Sequence, residues 1–236
     1  MRFIVCEDYD ELSKKAAEFV SAQIMLKPNC NLGLATGSTP IGMYKNLVDM
    51  NLDFSEVTTF NLDEYYPILR SNPQSYHYFM TEHLYKWVNL KKDHIFIPNG
   101  ETKDPAQECI DYEKAIAEHG GLDLQILGIG QNGHIGFNEP SATLNSYTHI
   151  TDLTQNTIEA NSRFFNSIDE VPTKALTMGI ATIMRANRIL LLASGKEKAR
   201  VVQALKGNMI DPEIPATILA AHNNVTVIAD KAAFGE

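Results

Sequence analysis

Short apolar runs alternate with helix-period segments along almost the whole chain. Residues 2–5 read as a strand, and residues 9–26 as a helix with Leu12, Ala16, Phe19, Val20 and Ile24 on one face. The apolar run 32–35 is followed by Thr36-Gly37-Ser38-Thr39-Pro40 and a helix through Tyr44 and Leu47. Further strands are predicted at 57–62, 94–97, 122–129, 189–193 and 225–229, with helices over 74–88, 105–118 and around 196–206.

Parallel strands need crossovers, so this rhythm predicts an α/β protein. The expected architecture is a three-layer Rossmann-like fold, a mostly parallel central sheet flanked by helices on both faces. Fully apolar stretches such as 126–129 and 189–192 suit a sheet buried on both sides. The 236 residues show no repeat, low-complexity tract or linker, and fit a single catalytic domain over 1–236. Residues 141–175 break the rhythm, being polar and rich in Asn and Thr. They suit a mobile lid over a site, or an ordinary surface excursion.

Composition narrows the function. Hydrophobic residues make up 44% and charged residues 21%, the mix of a water-soluble globule with a substantial core. The net charge of −9 argues against a general nucleic-acid binder, which needs a basic surface, but leaves room for a locally positive pocket. Cys6, Cys30 and Cys109 are odd in number without metal-ligand spacing, so reduced thiols are expected, Cys6 and Cys30 as core fillers. No signal peptide and no membrane-spanning stretch is visible, and the expected location is cytoplasmic.

In open α/β sheets ligands sit beyond the carboxyl ends of the strands, and the unusual residues fall there four times. Thr36-Gly37-Ser38-Thr39-Pro40 opens a helix after a strand. Gly37 permits the tight turn and Ser38 or Thr39 can cap the helix, whose free N–H groups and dipole suit an anion. A plain capped helix start reads the same way. Asp63, in Phe60-Asn61-Leu62-Asp63-Glu64-Tyr65, is either an N-cap or a desolvated general base. Residues 128–140 hold four glycines in nine positions, with His134, Asn132 two before it and Glu139 five after it. A carboxylate beside an imidazole fixes its tautomer and stabilises its cation. One His and one Glu make no metal set, and the other histidines are scattered. Ser194-Gly195-Lys196-Glu197-Lys198 repeats the strand–Gly–helix pattern, and Lys198 either reaches an anion on the first loop or is a solvated helix lysine. Arg163 is a phosphate clamp or a surface cation. No serine or cysteine stands as a nucleophile. Together these residues suit proton transfer on a small phosphorylated molecule.

The stretches Ala35–Pro40, Thr59–Tyr65, Gly128–Pro140 and Asn161-Ser162-Arg163-Phe164-Phe165 resemble the glucosamine-6-phosphate deaminases, in order and over nearly the whole chain. The related 6-phosphogluconolactonases share the fold and a Gly-His loop, but not the Phe-Asn-Glu-Pro ending. The resemblance implies conversion of glucosamine 6-phosphate and water into fructose 6-phosphate and ammonia, without metal or organic cofactor. It makes Asp63 the proton acceptor, His134 the ring-opening acid/base and Glu139 its supporting carboxylate. It places Thr36, Gly37, Ser38, Thr39, Arg163 and Lys198 around the phosphate, with Lys196 the alternative to Lys198 by a two-residue slip.

Two departures from that family stand out. Asn132 occupies a position where many deaminases carry a carboxylate, so an amide is expected to accept from His134 while Glu139 bears most of the support. Ala142, His149 and Thr151 replace the basic residues that regulated deaminases use for an acetylated sugar phosphate. Hyperbolic kinetics without N-acetylglucosamine 6-phosphate activation are therefore expected, and monomer, dimer and hexamer all stay open. A 6-phosphogluconolactonase-like hydrolase and a non-catalytic sugar-phosphate sensor are the competing readings. The sensor conflicts with the presence of Asp63, His134 and Glu139 and with the acidic charge balance.

Overall fold

The computed structural model describes residues 1–162, 167, 170–207 and 209–236. Seven strands form one sheet: β1 (Arg2–Cys6), β2 (Asn31–Leu34), β3 (Thr58–Asn61), β5 (Ile95–Phe96), β6 (Leu124–Gly128), β9 (Ile189–Ala193) and β10 (Val225–Asp230). Their order is β1-β10-β9-β6-β2-β3-β5, and every pairing is parallel.

Helices cover both faces, as the apolar strands require. Helices α1 (Tyr9–Leu26) and α2 (Ser38–Asp49) lie on one side, where Leu12, Val20 and Tyr44 meet Leu190 and Leu192 of β9 and Ile126 of β6. On the other side Ile189 and Leu191 pack with helices α4 (Pro105–Glu118), α6 (Ile180–Met184), α7 (Ala199–Lys206) and α8 (Lys231–Phe234). Alternate residues of one strand thus feed two cores, the arrangement expected for a buried parallel sheet. Cys6 and Cys30 fill the α1/α2 core, and all three cysteines are buried and free. Among the described residues no helix is long and apolar enough to cross a membrane.

Several elements depart from the sequence expectation. The predicted 57–62 strand stops at Asn61, and after Leu62 the chain enters β4 (Asp63–Tyr66) in a second sheet. That antiparallel sheet, β4-β8-β7, also contains β7 (His149–Asp152) and β8 (Lys174–Thr177). The polar 141–175 stretch therefore carries β7 and the helix α5 (Gln155–Ser162) and leads into β8. The predicted 74–88 helix is α3 (Tyr76–His83), followed by a 3-10 turn at Tyr85–Trp87. Leu84 leaves helical geometry as it and Tyr85 are drawn into the α1/α2 core, and Tyr85 donates to Asn61 Oδ1 at 2.7 Å. The 196–206 helix likewise opens as a 3-10 turn, Lys196–Lys198, before α7.

Candidate active site

The four loops singled out above follow β2, β3, β6 and β9, which are consecutive in the sheet order β9-β6-β2-β3. Because the strands are parallel, all four loops emerge at one edge. They enclose a cleft of about 590 Å³, within the range of small-molecule sites.

The anion loop is freer than capping predicted. Gly37, with φ of +107°, turns β2 into α2 and occupies the N-cap position without a side-chain hydrogen bond. Ser38 and Thr39 do not cap. They are the first two helical residues, and Tyr9 Oη donates to their carbonyls at 3.0 and 3.1 Å. Tyr9 Oη accepts the Gly42 N–H, while among the described residues no side chain accepts from the N–H groups of Ser38, Thr39 or Ile41, which line the cleft. Opposite, Gly195 (φ +94°) turns β9 into the Lys196–Lys198 segment, and the Asp230 carboxylate accepts from Ser194 Oγ and the Gly195 N–H. Lys198 is half-buried and lines the cleft, whereas Lys196 is exposed outside it. Burial pulls the Lys198 ammonium below its ordinary value, partly offset by Glu197. Arg163 lies outside the described residues.

Asp63 sits where the chain passes from one sheet to the other. Leu62 N–H donates to Leu34 O at 2.8 Å, and the Asp63 backbone pairs with Thr177. The side chain lines the cleft and is 6% exposed, and among the described residues its carboxylate accepts no hydrogen bond. It is no N-cap. Burial, then the charge of Glu64, pushes the carboxyl well above the ordinary range. Glu64 points elsewhere, accepting the N–H groups of Tyr65, Tyr76 and His77 at 2.8–2.9 Å. Burial lifts Glu64 to about 7, against the pull of those three donors.

The glycine-rich loop brings His134, Asn132 and Glu139 together. His134 Nδ1 lies 3.3 Å from Glu139 Oε2, within ion-pair distance but off the line of a full hydrogen bond. Asn132 does not accept from the imidazole as the sequence suggested. Its Nδ2 donates to Glu139 Oε2 at 2.7 Å, and its Oδ1 accepts the His134 backbone N–H at 3.2 Å. The reason is donor arithmetic: a carboxylate only accepts, so a neighbouring amide turns its NH₂ toward it. Burial alone would raise Glu139, but His134, Asn132 and Thr157 outweigh it and hold the carboxyl at about 2. Gly130 is required beside the ring, because a Cβ there would fall 2.3 Å from His134 Cε1.

Sequence reasoning missed part of the lining. Tyr65, Tyr76 and Phe137 form an aromatic wall, with Tyr65–Tyr76 ring centroids 4.8 Å apart and Tyr76 parallel to Phe137 at 6.2 Å. Thr154 and Thr157 line the cleft from the start of α5. A threonine in a polar run carries no local signal, and Tyr76 reads simply as a helix residue. Among the described residues, no three His, Cys, Asp or Glu side chains gather as a metal site.

Comparison with known proteins gives a consistent picture. Residues 7–228 match the family model for glucosamine-6-phosphate isomerases/6-phosphogluconolactonase. A glucosamine-6-phosphate deaminase of Clostridium acetobutylicum is 53% identical, over 99% of this chain and 98% of that protein. One from Halothermothrix orenii is 55% identical with the same coverage. A solved structure described as a monomeric glucosamine-6-phosphate deaminase superposes with a TM-score of 0.96 at 46% identity, covering 100% of this chain and 99% of that one. The 6-phosphogluconolactonase from Trypanosoma cruzi superposes at 0.80 with 20% identity over 100% of this chain and 96% of its own, a likeness of fold alone.

Proposed function

The chain belongs to the glucosamine-6-phosphate isomerase/6-phosphogluconolactonase family, and from that membership we propose that it is a deaminase turning glucosamine 6-phosphate and water into fructose 6-phosphate and ammonia. The observation that carries the reading is Asp63, a buried carboxylate without a hydrogen-bond partner among the described residues, facing the same cleft as the His134–Glu139 pair. Lactone hydrolysis has no use for a base at C2, whereas an aldose-to-ketose shift cannot proceed without one.

The steps follow from the groups present. The N–H groups at the start of α2, the hydroxyls of Thr36, Ser38 and Thr39, and the Lys198 ammonium hold the phosphate, with Arg163 as a further cation. This anchoring positions the distant carbons. His134 moves a proton from the C1 hydroxyl to the ring oxygen, and the ring opens to the aldehyde. Glu139 stabilises the imidazolium form, and Asn132 orients Glu139. The aldehyde acidifies the C2 hydrogen. Asp63 takes that hydrogen, leaving an enolamine, and a proton returned to C1 gives the ketimine. Water adds at C2 and ammonia leaves, so substrate plus one water balances ketose plus ammonia.

Burial gives Asp63 a high proton affinity, which makes it a strong base once ionised. A glucosamine 6-phosphate entering with its C2 ammonium brings a positive charge beside the carboxylate, which favours the ionised form for the proton transfer. A carboxylate is also the natural base for an aldose–ketose shift.

Every group named comes from one chain, and residues 1–236 act as a single catalytic domain. Residues 141–175 serve as its lid, a role supported by Thr154 and Thr157 lining the cleft. The solved relative described as monomeric supports a monomer near 26.3 kDa. The three free cysteines suit a reducing compartment, which supports work in the cytoplasm.

Pure protein mixed with glucosamine 6-phosphate is expected to release ammonium and fructose 6-phosphate one to one. The rate should depend hyperbolically on substrate and ignore N-acetylglucosamine 6-phosphate. Acid release from 6-phosphogluconolactone without ammonium from the amino sugar would overturn the assignment.

A further inference from the structure

Glu139 has two carboxylate oxygens, and they face different parts of the fold. Oε2 receives Asn132 Nδ2 and stands beside His134, all within the glycine-rich loop. Oε1 instead accepts from Thr157 Oγ1 at 2.8 Å, across 18 residues of sequence, from the helix α5. Thr157 is tied in turn to Thr154. Thr154 Oγ1 accepts the Thr157 N–H at 3.2 Å and lies 2.9 Å from Thr157 Oγ1.

The proton directions in this relay are forced. An ionised carboxylate can only accept, so the Thr157 hydroxyl spends its single hydrogen on Glu139. Thr154 must then donate to Thr157, and its own oxygen is free to cap the helix N–H. The start of α5 therefore delivers one oriented donor to Glu139. On the next residue, Ile158 packs against the cluster of Tyr65 and Phe137 that walls the cleft. One helical turn thus touches both the wall and the carboxylate behind His134. His134 is the titratable group within ion-pair distance of Glu139 among the described residues.

We propose that Thr157 is a positioning residue for this reaction: by occupying Oε1 from α5 it aims Oε2 at His134 and so completes the acid/base pair. The proposal rests on the deaminase reading given above. It assigns to the start of α5 a chemical task beyond lining the cleft. Without that donor Glu139 loses a hydrogen bond and a rotational constraint together, and the imidazole loses its support, with no contact between Thr157 and the reacting atoms required.

Thr157→Val keeps the side-chain shape and removes the donor, while Thr157→Ser keeps the donor and trims a methyl group. For Thr157→Val, kcat is expected to fall about tenfold with KM within about twofold, since the interaction matters after binding. Thr157→Ser should keep at least about half the parental rate. Carbon NMR on protein labelled at the Glu side chains gives a readout independent of turnover. The Glu139 titration midpoint, held low by His134, Asn132 and Thr157 together, should rise by about one pH unit in Thr157→Val relative to the parent and stay put in Thr157→Ser. An unchanged Glu139 midpoint in Thr157→Val, or equal losses of kcat in the two variants, would overturn the proposal. If the parent itself released no ammonium, the deaminase reading would fail while the titration still decided whether Thr157 controls Glu139.

Discussion

Replacing Gly130 with alanine disturbs the acid/base pair without replacing any titrating group. A Cβ at this position would lie 2.3 Å from His134 Cε1, 2.4 Å from Nδ1 and 2.6 Å from Cγ, while ordinary contacts begin at 3.4 Å. Gly130 is not among the glycines with positive φ, so its backbone accepts alanine and the whole conflict falls on the imidazole. The ring must retreat by roughly 1 Å, and close-packed neighbours give little of that distance back. Its Nδ1 is already 3.3 Å from Glu139 Oε2, so the retreat separates the pair or turns the ring off it. A misplacement of about 1 Å in a reacting group costs on the order of 100-fold in rate, or about 2.7 kcal/mol of barrier. Ammonium release from glucosamine 6-phosphate measures this, with kcat/KM expected to fall about 100-fold. The His134 side chain is 30% exposed toward the cleft, so the ring has somewhere to go, and the melting temperature should move by less than about 4 °C. A Gly130→Ala protein within threefold of the parental kcat/KM would refute the reasoning, because it would mean that the ring position is irrelevant to turnover.

Asp63→Asn should lower turnover by on the order of 1,000-fold while leaving the fold at least as stable at pH 8. The sign follows from linkage: the folded-state value is raised, so the stabilisation belongs to the neutral form and is lost as pH rises through that value. An amide is neutral throughout. Turnover within tenfold of the parent would remove Asp63 as the base. Glu139→Gln should cost on the order of 100-fold in kcat, and Asn132→Ala less than about tenfold, since Asn132 acts through Glu139. Equal small effects in the two variants would refute that division of labour. Lys198→Ala should raise KM by about tenfold or more and Lys196→Ala should leave it unchanged, as only Lys198 faces the cleft. The opposite ranking in a steady-state assay would move the phosphate contact to Lys196.

Much of the scaffold was legible locally, because period and turn chemistry are local properties. Apolar runs such as Ile189–Ala193 announced buried parallel strands, and Gly37, Gly195 and the Gly128–Gly136 loop announced sharp turns at strand ends. Asp63, His134, Glu139 and Lys198 stood out as chemistry on those turns, and the structure brings them to one cleft or directly behind it. Arg163 is a cation the sequence singled out that lies outside the described residues.

What only tertiary structure decided is adjacency. Nothing in the order of the chain says that β9, β6, β2 and β3 are neighbours; burial of both sheet faces selects that order, and with it the meeting of four distant loops. The strand Asp63–Tyr66 was invisible because its four residues carry no alternation, and it exists through pairing with Lys174–Thr177. The break after His83 came from the pull of Leu84 and Tyr85 into the core, which outweighs helix period. Asn132 was read as a partner of the imidazole, yet donor and acceptor matching turned it toward Glu139. Residue types and their spacing thus determined which chemistry was available. Long-range packing determined which groups share it, because contact energies between distant segments leave no periodic trace in either one.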